Sequence, residues 1–317
     1  MMDIVACFDH GFVMPTGVMV YSVCANNADV DIVFHLVVDE SVTENDKKDL
    51  VTTITAFQGK QVRFYEVSSQ RCAVYPLLKA ERLTRATYYR LFLAEILPST
   101  VDKVLYLDGD CIVRHTLLPL WQTDISSYAV GAVFDVSEGN IEFYNRLRYP
   151  PASGYFNAGV LLINLVYWRQ HHVLDLFLDY MNAYRSRIKY EDQDILNVIL
   201  QDKKKFIPAK YNFQTSFLKN KARWDYWKHA DELKEAMADP VIVHFTLKDK
   251  PWDTYARHPH PYRSTFLKYQ KHTKWEDVRL EKRTRKTIIR NFIDDMMRQL
   301  GLRTQRISPF MEIQPVD

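Results

Sequence analysis

Two carboxylates stand one residue apart at the end of an apolar run. The segment VLYLDGDCIVR, from Val104 to Arg114, places Asp108 and Asp110 directly after residues that are typical of a buried strand. Two like charges at this spacing repel each other unless a cation lies between them. Carboxylate oxygens are the ligands that hard divalent cations prefer. The pair therefore predicts a divalent metal site at the end of a strand.

Two other interpretations of the same residues remain open at this point. Asp and Gly are ordinary turn residues, so the segment is also typical of a plain strand-to-turn junction. A D-x-D pattern also occurs in dehalogenase-type phosphatases, in which the first carboxylate, here Asp108, would be a nucleophile. That motif usually follows the first strand of its domain, whereas about a hundred residues of α/β pattern come first here.

Apolar, strand-like runs alternate with helical patterns along the chain, and these elements must position the two carboxylates. The alternation is typical of an α/β fold with a largely parallel sheet that is covered by helices on both faces. In such a sheet ligands bind at the carboxyl ends of the strands, which is where the two carboxylates fall. Helices are predicted over residues 44–57, with Ser41 or Thr43 as the cap, and over residues 82–97. The predicted strands are DIVACF, DIVFHLVV, QVRFYEV, KVLYL, AVGAVFDV and YFNAGVLLINL.

The composition narrows the classes of function. A formal charge of +3 over 317 residues is too small to indicate nucleic-acid binding. The 9 glycines form neither G-x-G-x-x-G nor a Walker loop, so phosphate would have to be bound by a metal ion or by side chains. Cys7, Cys24, Cys72 and Cys111 lack C-x-x-C spacing and lie in or beside apolar runs, which predicts reduced core thiols and no zinc site. The N-terminus has no signal-peptide pattern and no run of 18 apolar residues occurs, so we expect a cytoplasmic protein without membrane-spanning segments.

Three further stretches, taken in order with YLDGD, resemble glycosyltransferase family 8. They are YFNAGVLLINL from Tyr155, YEDQDILN from Tyr190 and HFTLKDKPW from His244. The resemblance covers roughly residues 3 to 275 and is strongest to the transferases of the lipopolysaccharide outer core. It implies a GT-A fold, in which a mixed, mostly parallel Rossmann-like sheet is flanked by helices. It also implies a retaining enzyme that moves an α-linked glucose or galactose from a UDP-hexose to a lipopolysaccharide core acceptor.

The resemblance also assigns metal ligands. It implies that Asp108, Asp110 and His244 bind a divalent ion, and a site that mixes imidazole with carboxylates suits Mn²⁺ better than Mg²⁺. Lys250 would place a positive charge against the diphosphate of the UDP-sugar. From the residues alone, His244 after the apolar VIV is typical of a core histidine, and Lys250 is typical of a solvated surface lysine.

Four other positions match the family's donor site. The resemblance implies that Asp9 contacts the nucleotide and that Arg90 belongs to the donor site. It places Asp135 and Asn157 against the transferred sugar, where an amide can offer both a donor and an acceptor to a hydroxyl. Simpler interpretations remain open: Asp9 as a loop cap, Arg90 on the solvated face of an amphipathic helix and Asn157 as a polar residue that closes a loop.

The catalytic residues implied by the resemblance are Asp192 and Gln193. Both fall at the start of a predicted helix, YEDQDILNVIL, whose Ile195, Leu196 and Ile199 face inward. Asp192 would bind sugar hydroxyls and Gln193 would lie beside the anomeric carbon. No nucleophilic carboxylate is implied, so retention would run through a short-lived oxocarbenium-like ion pair. Acidic residues in a first helical turn also simply complement the helix dipole.

One position departs from the family pattern. The C-terminal motif has the form H-x-x-G-x-x-K-P-W, and this chain carries Leu247 where the motif has glycine. A side chain excludes some of the backbone conformations that glycine adopts, so closure of this loop over the diphosphate could differ. The departure also supports an alternative from another class, a non-catalytic protein that binds nucleotide sugars.

The composition changes near Trp275, so we predict a transferase domain over residues 1–275 and a basic amphipathic tail over residues 276–317. Between Arg279 and Arg306 nine basic residues face three acidic ones, a net charge of +6. A helix here could lie on an anionic bilayer or pack on its own domain. The lipid-anchored acceptor that the resemblance implies favours the bilayer, so we expect a peripheral protein on the cytosolic face of the bacterial inner membrane. The apolar residues at helical spacing are Ile289, Phe292, Ile293, Met296 and Leu300.

Overall fold

The structure is a computed structural model, and it describes most of the chain. The described residues are 1–68, 86–219, 228–246, 250–253 and 260–278, together with 289, 292, 293, 296, 297 and 300. The strands are β1 (Met2–Phe8), β2 (Ile32–Val38), β3 (Lys60–Glu66), β4 (Lys103–Leu107), β5 (Cys111–Val113), β6 (Val130–Phe134), β7 (Phe156–Asn164), β8 (Lys204–Phe206), β9 (Phe213–Gln214) and β10 (Ile242–His244). The α-helices are α1 (Val13–Ala25), α2 (Glu44–Thr55), α3 (Ala86–Tyr89), α4 (Leu93–Ile96), α5 (Leu118–Trp121), α6 (Ile141–Leu147), α7 (Leu165–Gln170), α8 (Val173–Ala183), α9 (Glu191–Ile199), α10 (Ala230–Ala238) and α11 (Arg263–Gln270).

A seven-stranded sheet forms the centre of the described structure, in the order β3-β2-β1-β4-β7-β6-β8. β1 is parallel to both β2 and β4, β2 is parallel to β3, and β6 is parallel to β8. β7 alone among these strands runs antiparallel to its neighbours, β4 and β6. A smaller sheet has the order β5-β10-β9. The predicted mixed, mostly parallel sheet is confirmed.

Alternating side chains of the central strands divide the apolar core into two layers. In β1, Ile4 and Ala6 belong to the cluster that includes residues of α1 and α2, whereas Val5 and Cys7 belong to the cluster that includes residues of α8 and α9. Successive residues of a strand point to opposite faces, so a strand that is covered on both faces must be apolar throughout. This is why the short apolar runs of the sequence became buried strands.

Residues 260–278 pack against α1. The indole of Trp275 lies over Gly17, where an added Cβ atom would come within 2.0 Å of the ring. Gln270 donates hydrogen bonds to the carbonyls of Trp275 and Val278. The chain up to Val278 is therefore attached to the main core, and glycine at position 17 permits the close approach.

The predicted elements correspond to observed ones at nearly every position. The six predicted strands are β1, β2, β3, β4, β6 and β7, and their ends lie within two residues of the prediction. Thr43 caps α2 through a reciprocal hydrogen-bonded pair with Asp46, as the sequence predicts for one of its two candidate caps. Ser41 instead accepts a hydrogen bond from the backbone of His10.

The helix predicted over residues 82–97 is confirmed as helical backbone from Ala86 to Ile96, but it is not one regular α-helix. From Ala86 onward the chain forms α3, a 3₁₀ turn at Arg90–Phe92 and then α4. The side chain of Arg90 turns inward and its Nε donates to the carbonyl of Thr87 at 3.2 Å. The turn at Arg90 thus interrupts the helix where a buried arginine must reach partners inside the protein, and helical spacing alone could not reveal this.

The described cysteines are buried thiols, as the composition predicts. Cys7, Cys24 and Cys111 are buried and free. Burial raises the pKa of Cys24 to about 12, and it also raises the pKa values of Cys7 and Cys111, so all three stay protonated at neutral pH. Cys72 lies outside the described residues.

The five apolar side chains that the sequence places at helical spacing in the predicted tail are all exposed. Phe292 is 70% exposed and Met296, the most covered of the five, is 43% exposed. No helix among the described residues is long and apolar enough to cross a bilayer. The others of this set are Ile289, Ile293 and Leu300, all of them exposed.

Candidate active site

The candidate site lies at one edge of the main sheet. Asp9, Asp108 and Asp135 directly follow the ends of β1, β4 and β6. Because β7 is antiparallel to both β4 and β6, these two strands point the same way, and Asn157 near the start of β7 comes to the same edge. His244 ends β10 of the smaller sheet. The strand order therefore brings residues from five separate stretches of sequence together.

His244 lies beside both Asp108 and Asp110, the two carboxylates with which the family resemblance groups it. Nε2 of His244 lies 3.3 Å from Oδ1 of Asp110 and 3.7 Å from Oδ2 of Asp108. Burial works against ionisation of Asp110, but Lys250 and His244 outweigh it and hold the pKa of this carboxyl well below its usual range. His244 is buried, as a core histidine would be, yet its ring faces carboxylates and not apolar side chains.

The ligand atoms and the space around them fit a divalent ion. Asp110, Cys111 and His244 bring one possible ligand atom each within 4.8 Å of one another. Burial and the two neighbouring carboxylates raise the pKa of the Cys111 thiol well above its ordinary value, so this sulfur stays protonated and is a poor ligand. Gly159 lets both side chains approach the backbone closely, because a Cβ there would lie 2.1 Å from Cε1 of His244 and 2.8 Å from Oδ2 of Asp108. Asp110 and His244 remain as donors that suit a divalent ion, and Oδ2 of Asp108 lies 3.7 Å from the same ring nitrogen of His244.

Lys250 is paired within the site. Its Nζ lies 2.5 Å from Oδ2 of Asp110 and donates as well to the carbonyl of Phe245. The interpretation as a solvated surface lysine is therefore wrong, because the ammonium neutralises one predicted metal ligand. Leu247, the departure from the family motif, lies outside the described residues.

Arg90 connects Asp108 to the helix that carries the predicted catalytic residues. Its guanidinium lies 2.9 Å from Oδ1 of Asp108 and 3.0 Å from Oδ2 of Asp192, and it also donates to the carbonyl of Ala158. The hydroxyl of Tyr106 donates to the same oxygen of Asp108. Burial works against the charge, but the two carboxylates outweigh it and raise the pKa of Arg90. The interpretation as a solvated helix face is wrong, since Arg90 is only 6% exposed.

Asp192 is buried in the first turn of α9, with its carboxylate turned inward. Burial raises the pKa of Asp192 to about 7, while Arg90 opposes the rise. Both the ionised and the protonated forms are therefore populated near neutral pH. A carboxylate that merely complemented the helix dipole would be solvated, so the interior position favours a functional role.

Asp135, Asn157 and Gln193 form a second group of polar side chains, and the backbone of β7 connects this group to the carboxylates and His244. Asn157 donates from Nδ2 to Oδ2 of Asp135 at 3.1 Å, and Gln193 donates from Nε2 to the same oxygen at 3.5 Å. Oε1 of Gln193 accepts a hydrogen bond from the backbone amide of Ala158. The adjacent Gly159 accepts from the amide of Asp108 through its carbonyl. Ala158 and Gly159 therefore hold both groups at fixed separation.

Asp9 occupies the same sheet edge without a defined partner. The side chain does not cap the 3₁₀ turn that follows it, so the interpretation as a loop cap is wrong. In the described part of the chain its carboxylate makes no hydrogen bond to the other predicted site residues. It is only half-buried and remains accessible to a ligand at the end of β1.

Several residues that complete the site escape sequence reasoning. Asn212, fully buried, contacts both His244 and Asn157, and nothing in its surroundings AKYNFQ marks it. Asp194 carried a weak signal, because it belongs to the same YEDQD motif as Asp192, but its partner Arg146 carried none. Contacts of this kind depend on tertiary structure, and local spacing does not encode them.

The sequence and the structure were compared with known proteins. The chain matches the model of glycosyl transferase family 8 over residues 3–256. It is 28% identical over 281 residues to general stress protein A of Bacillus subtilis, covering 87% of this chain and 96% of that protein. It is 28% identical over 284 residues to lipopolysaccharide 1,3-galactosyltransferase of Salmonella typhimurium, covering 86% of this chain and 78% of that protein.

Solved structures agree with the sequence matches. An active-site mutant of LgtC superimposes with a TM-score of 0.78 at 28% identity, covering 86% of this chain and 96% of that one. The galactosyltransferase LgtC in complex with donor and acceptor sugar analogues gives a TM-score of 0.75 over the same shares of both chains. The mixed sheet and its flanking helices match the GT-A fold of LgtC, which confirms the predicted fold class.

Proposed function

The chain belongs to glycosyltransferase family 8, a family of sugar-transferring enzymes, and we propose that it is a retaining, metal-dependent hexosyltransferase. The donor would be a UDP-sugar, the hexose an α-linked glucose or galactose, and the acceptor a lipopolysaccharide core oligosaccharide. The names of similar proteins support this choice, since they include a lipopolysaccharide 1,3-galactosyltransferase and a lipopolysaccharide 1,2-glucosyltransferase. The observation that carries the proposal is the meeting of His244 with Asp108 and Asp110, beside Arg90 and Asp192.

Asp108, Asp110 and His244 would hold the divalent ion, and their mixed donor set favours Mn²⁺ over Mg²⁺. Such an ion, when bound, supplies positive charge that stabilises the diphosphate leaving group. Lys250 can exchange its pairing with Asp110 for the diphosphate, since a lysine ammonium on a flexible stem is a mobile point charge.

The remaining residues of the site would bind the nucleotide and the sugar of the donor. We assign the nucleotide to Asp9 at the end of β1, where its carboxylate is accessible. Asp135 and Asn157 already form a hydrogen-bonded pair whose free acceptor and donor capacity can bind sugar hydroxyls. Asp192 would bind hydroxyls on the opposite side, and Arg90 would hold Asp192 and Asp108 at fixed spacing.

Gln193 is the residue that we place nearest the reacting carbon. Its amide is fixed at both ends, by the amide of Ala158 and by Asp135, so it presents an oriented dipole. An amide is a poor nucleophile, and retention would accordingly proceed through a short-lived oxocarbenium-like ion pair. The oxygen of the departing diphosphate would take the proton of the attacking acceptor hydroxyl.

We further propose that residues 1–275 form the transferase domain and that residues 276–317 form a tail that attaches the enzyme to the cytosolic face of the inner membrane. The tail combines a net charge of +6 between Arg279 and Arg306 with apolar side chains that are exposed in the structure. Cations near an anionic surface and apolar groups at its boundary both favour binding. Such attachment would bring the enzyme to a lipid-anchored acceptor.

The proposal is tested by incubating the protein with a panel of UDP-sugars and Mn²⁺ and measuring release of UDP. Slow, Mn²⁺-dependent hydrolysis of UDP-glucose or UDP-galactose is the expected result, with EDTA as the control. A non-catalytic nucleotide-sugar-binding protein would bind the donor without release of UDP. A phosphatase that uses Asp108 would release inorganic phosphate from a phosphomonoester without any nucleotide, and Arg90 and Tyr106 already occupy one oxygen of that carboxylate.

A further inference from the structure

A continuous chain of buried hydrogen bonds connects the two halves of the site. Nδ1 of His244 lies 2.9 Å from Oδ1 of Asn212, and Nδ2 of Asn212 lies 2.9 Å from Oδ1 of Asn157. Nδ2 of Asn157 in turn lies 3.1 Å from Oδ2 of Asp135. The chain therefore runs from a predicted metal ligand in the smaller sheet to a predicted sugar-binding carboxylate in the main sheet.

Asp135, at one end of this series of hydrogen bonds, determines which atom donates and which accepts in each of them. The carboxylate of Asp135 can only accept, so the amide nitrogen of Asn157 must face it. The backbone amide of Gly159 can only donate, and it lies 3.0 Å from Oδ1 of Asn157, which confirms that orientation independently. Oδ1 of Asn157 then requires the amide nitrogen of Asn212, which leaves the carbonyl oxygen of Asn212 facing His244. Nδ1 of His244 must therefore carry a hydrogen.

We infer that Asn212 is a positioning residue that fixes the tautomer and the ring orientation of His244 for metal binding. With the hydrogen on Nδ1, neutral His244 has its lone pair on Nε2, the atom that faces Asp110 and Asp108. A histidine that binds a metal usually donates its other ring N–H to a carbonyl or carboxylate in this way. The inference rests on the proposed metal site, and it adds a residue that neither the sequence motifs nor the family resemblance marks.

The placement of Asn212 shows why an asparagine is suited to this position. Its side chain is fully buried, at 0% exposure, so each polar atom needs a partner inside the protein. It directly precedes β9, whose residues pair with β10, the strand that ends in His244. One amide thus accepts from the smaller sheet and donates to the main sheet, a combination that neither a carboxylate nor an apolar side chain provides.

The first test reads the tautomer in the metal-free protein. Long-range ¹H–¹⁵N spectra of protein labelled at histidine, with His244→Gln to assign the signal, should show that Nδ1 of His244 bears the hydrogen. In Asn212→Ala we expect the signal to move towards a mixture of tautomers. Wild-type protein in which Nδ1 is unprotonated and Nε2 carries the hydrogen would overturn the inference without any variant.

The second test reads the metal directly, by electron paramagnetic resonance of free Mn²⁺ titrated against the protein. Asn212→Ala should raise the Kd for Mn²⁺ about 10- to 100-fold. Asn27→Ala is the matched control, because Asn27 is also a buried asparagine with two backbone partners but lies away from the site. It should lower stability without changing the Kd. Equal Mn²⁺ affinity of folded Asn212→Ala and wild type would overturn the inference, whereas a wild type that binds no Mn²⁺ would overturn the proposed function instead.

Asn212→Asp separates the two contacts of the residue. A carboxylate still accepts from Nδ1 of His244 but cannot donate to Asn157. We expect this variant to keep the wild-type tautomer and most of the Mn²⁺ affinity that Asn212→Ala loses. Its turnover of the donor should be lower than that of wild type, because the contact with Asn157 is lost. A tautomer signal that is disturbed as much in Asn212→Asp as in Asn212→Ala would indicate a purely structural role and would contradict the inference.

Discussion

Arg146 binds the carboxylate of Asp194 through two hydrogen bonds, with Nη1 2.7 Å from Oδ2 and Nη2 3.0 Å from Oδ1. The same carboxylate accepts from the hydroxyl of Tyr155 and from the backbone amides of Lys189 and Tyr190. A buried carboxylate with this many donors fixes the turn that leads into α9. The pair therefore holds the start of the helix that carries the proposed catalytic residues.

Asp194→Asn should lower the free energy of unfolding by about 3 kcal/mol, because it leaves Arg146 without its charged partner and puts an amide nitrogen against hydrogen-bond donors. Urea denaturation measures the effect. Asp175→Asn is the matched control, since the Asp175 side chain is 71% exposed and its substitution should change stability by less than about 0.5 kcal/mol. Equal stability of the two variants would show that the Arg146 pair is not important for the fold.

Asp110→Asn should abolish Mn²⁺-dependent binding of the donor while the protein stays folded. The substitution keeps the shape of the side chain but removes a formal charge from the proposed metal site. Calorimetric titration with UDP and Mn²⁺, together with a thermal unfolding curve, separates loss of binding from loss of fold. Sugar transfer at a rate near that of wild type would show that Asp110 is not a metal ligand.

Gln193→Ala should reduce kcat by far more than it raises KM for the UDP-sugar. The oriented amide beside the reacting carbon would act mainly in the transition state, and loss of such an interaction appears in turnover. Steady-state kinetics measure both constants, and Gln122→Ala, which alters a glutamine after α5, is the control. A change confined to KM would make Gln193 a binding residue and remove it from the mechanism.

The position of the carboxylates in the site could be predicted from the sequence, because the information for it is local. Carboxylates directly after apolar strands must lie at the edge of the sheet, and Asp108 and Asp135 do so. Arg90 could not be placed in this way, since its position in TYYRLFL fits a helix surface as well as a buried turn. Its burial depends on two carboxylates contributed by β4 and α9. The role of Asn212 likewise exists only once the two sheets are packed together.

Asp192→Asn should stabilise the protein increasingly as the pH rises from 5 to 8. Between the ordinary pKa of 3.8 and about 7, folded Asp192 keeps a proton that the unfolded chain has lost, so wild-type stability decreases with rising pH. Asparagine resembles the protonated form at every pH. We expect the difference in unfolding free energy between variant and wild type to grow by roughly 2 kcal/mol over this range.

Urea denaturation in EDTA at each pH measures this difference. Asp231→Asn is the control, because the Asp231 side chain is 99% exposed and should give a difference that does not depend on pH. Transfer activity should fall in Asp192→Asn although stability rises, as is common where a site holds an unfavourable group for its function. A stability difference that is constant with pH would show that burial does not disfavour the charge of Asp192.

Truncation after Val278 should leave metal-dependent hydrolysis of the UDP-sugar intact and reduce binding to anionic vesicles. The cut keeps Val278 because Gln270 donates to its carbonyl, and it removes no proposed donor contact. The lost segment contributes about 1 kcal/mol of surface attraction per basic residue, together with the apolar side chains that the structure leaves exposed. Sedimentation with phosphatidylglycerol vesicles, against phosphatidylcholine vesicles as the neutral control, measures the loss.

A full-length variant with Phe292→Ser and Ile293→Ser separates the two contributions to that binding. It keeps every charge and removes two exposed apolar side chains, so its remaining binding should weaken steeply as salt screens the surface. The proposed attachment is wrong if the truncated protein sediments with anionic vesicles as completely as the full chain does. If truncation instead unfolds the enzyme, the segment packs on the transferase domain and stabilises it, which also contradicts the proposed attachment.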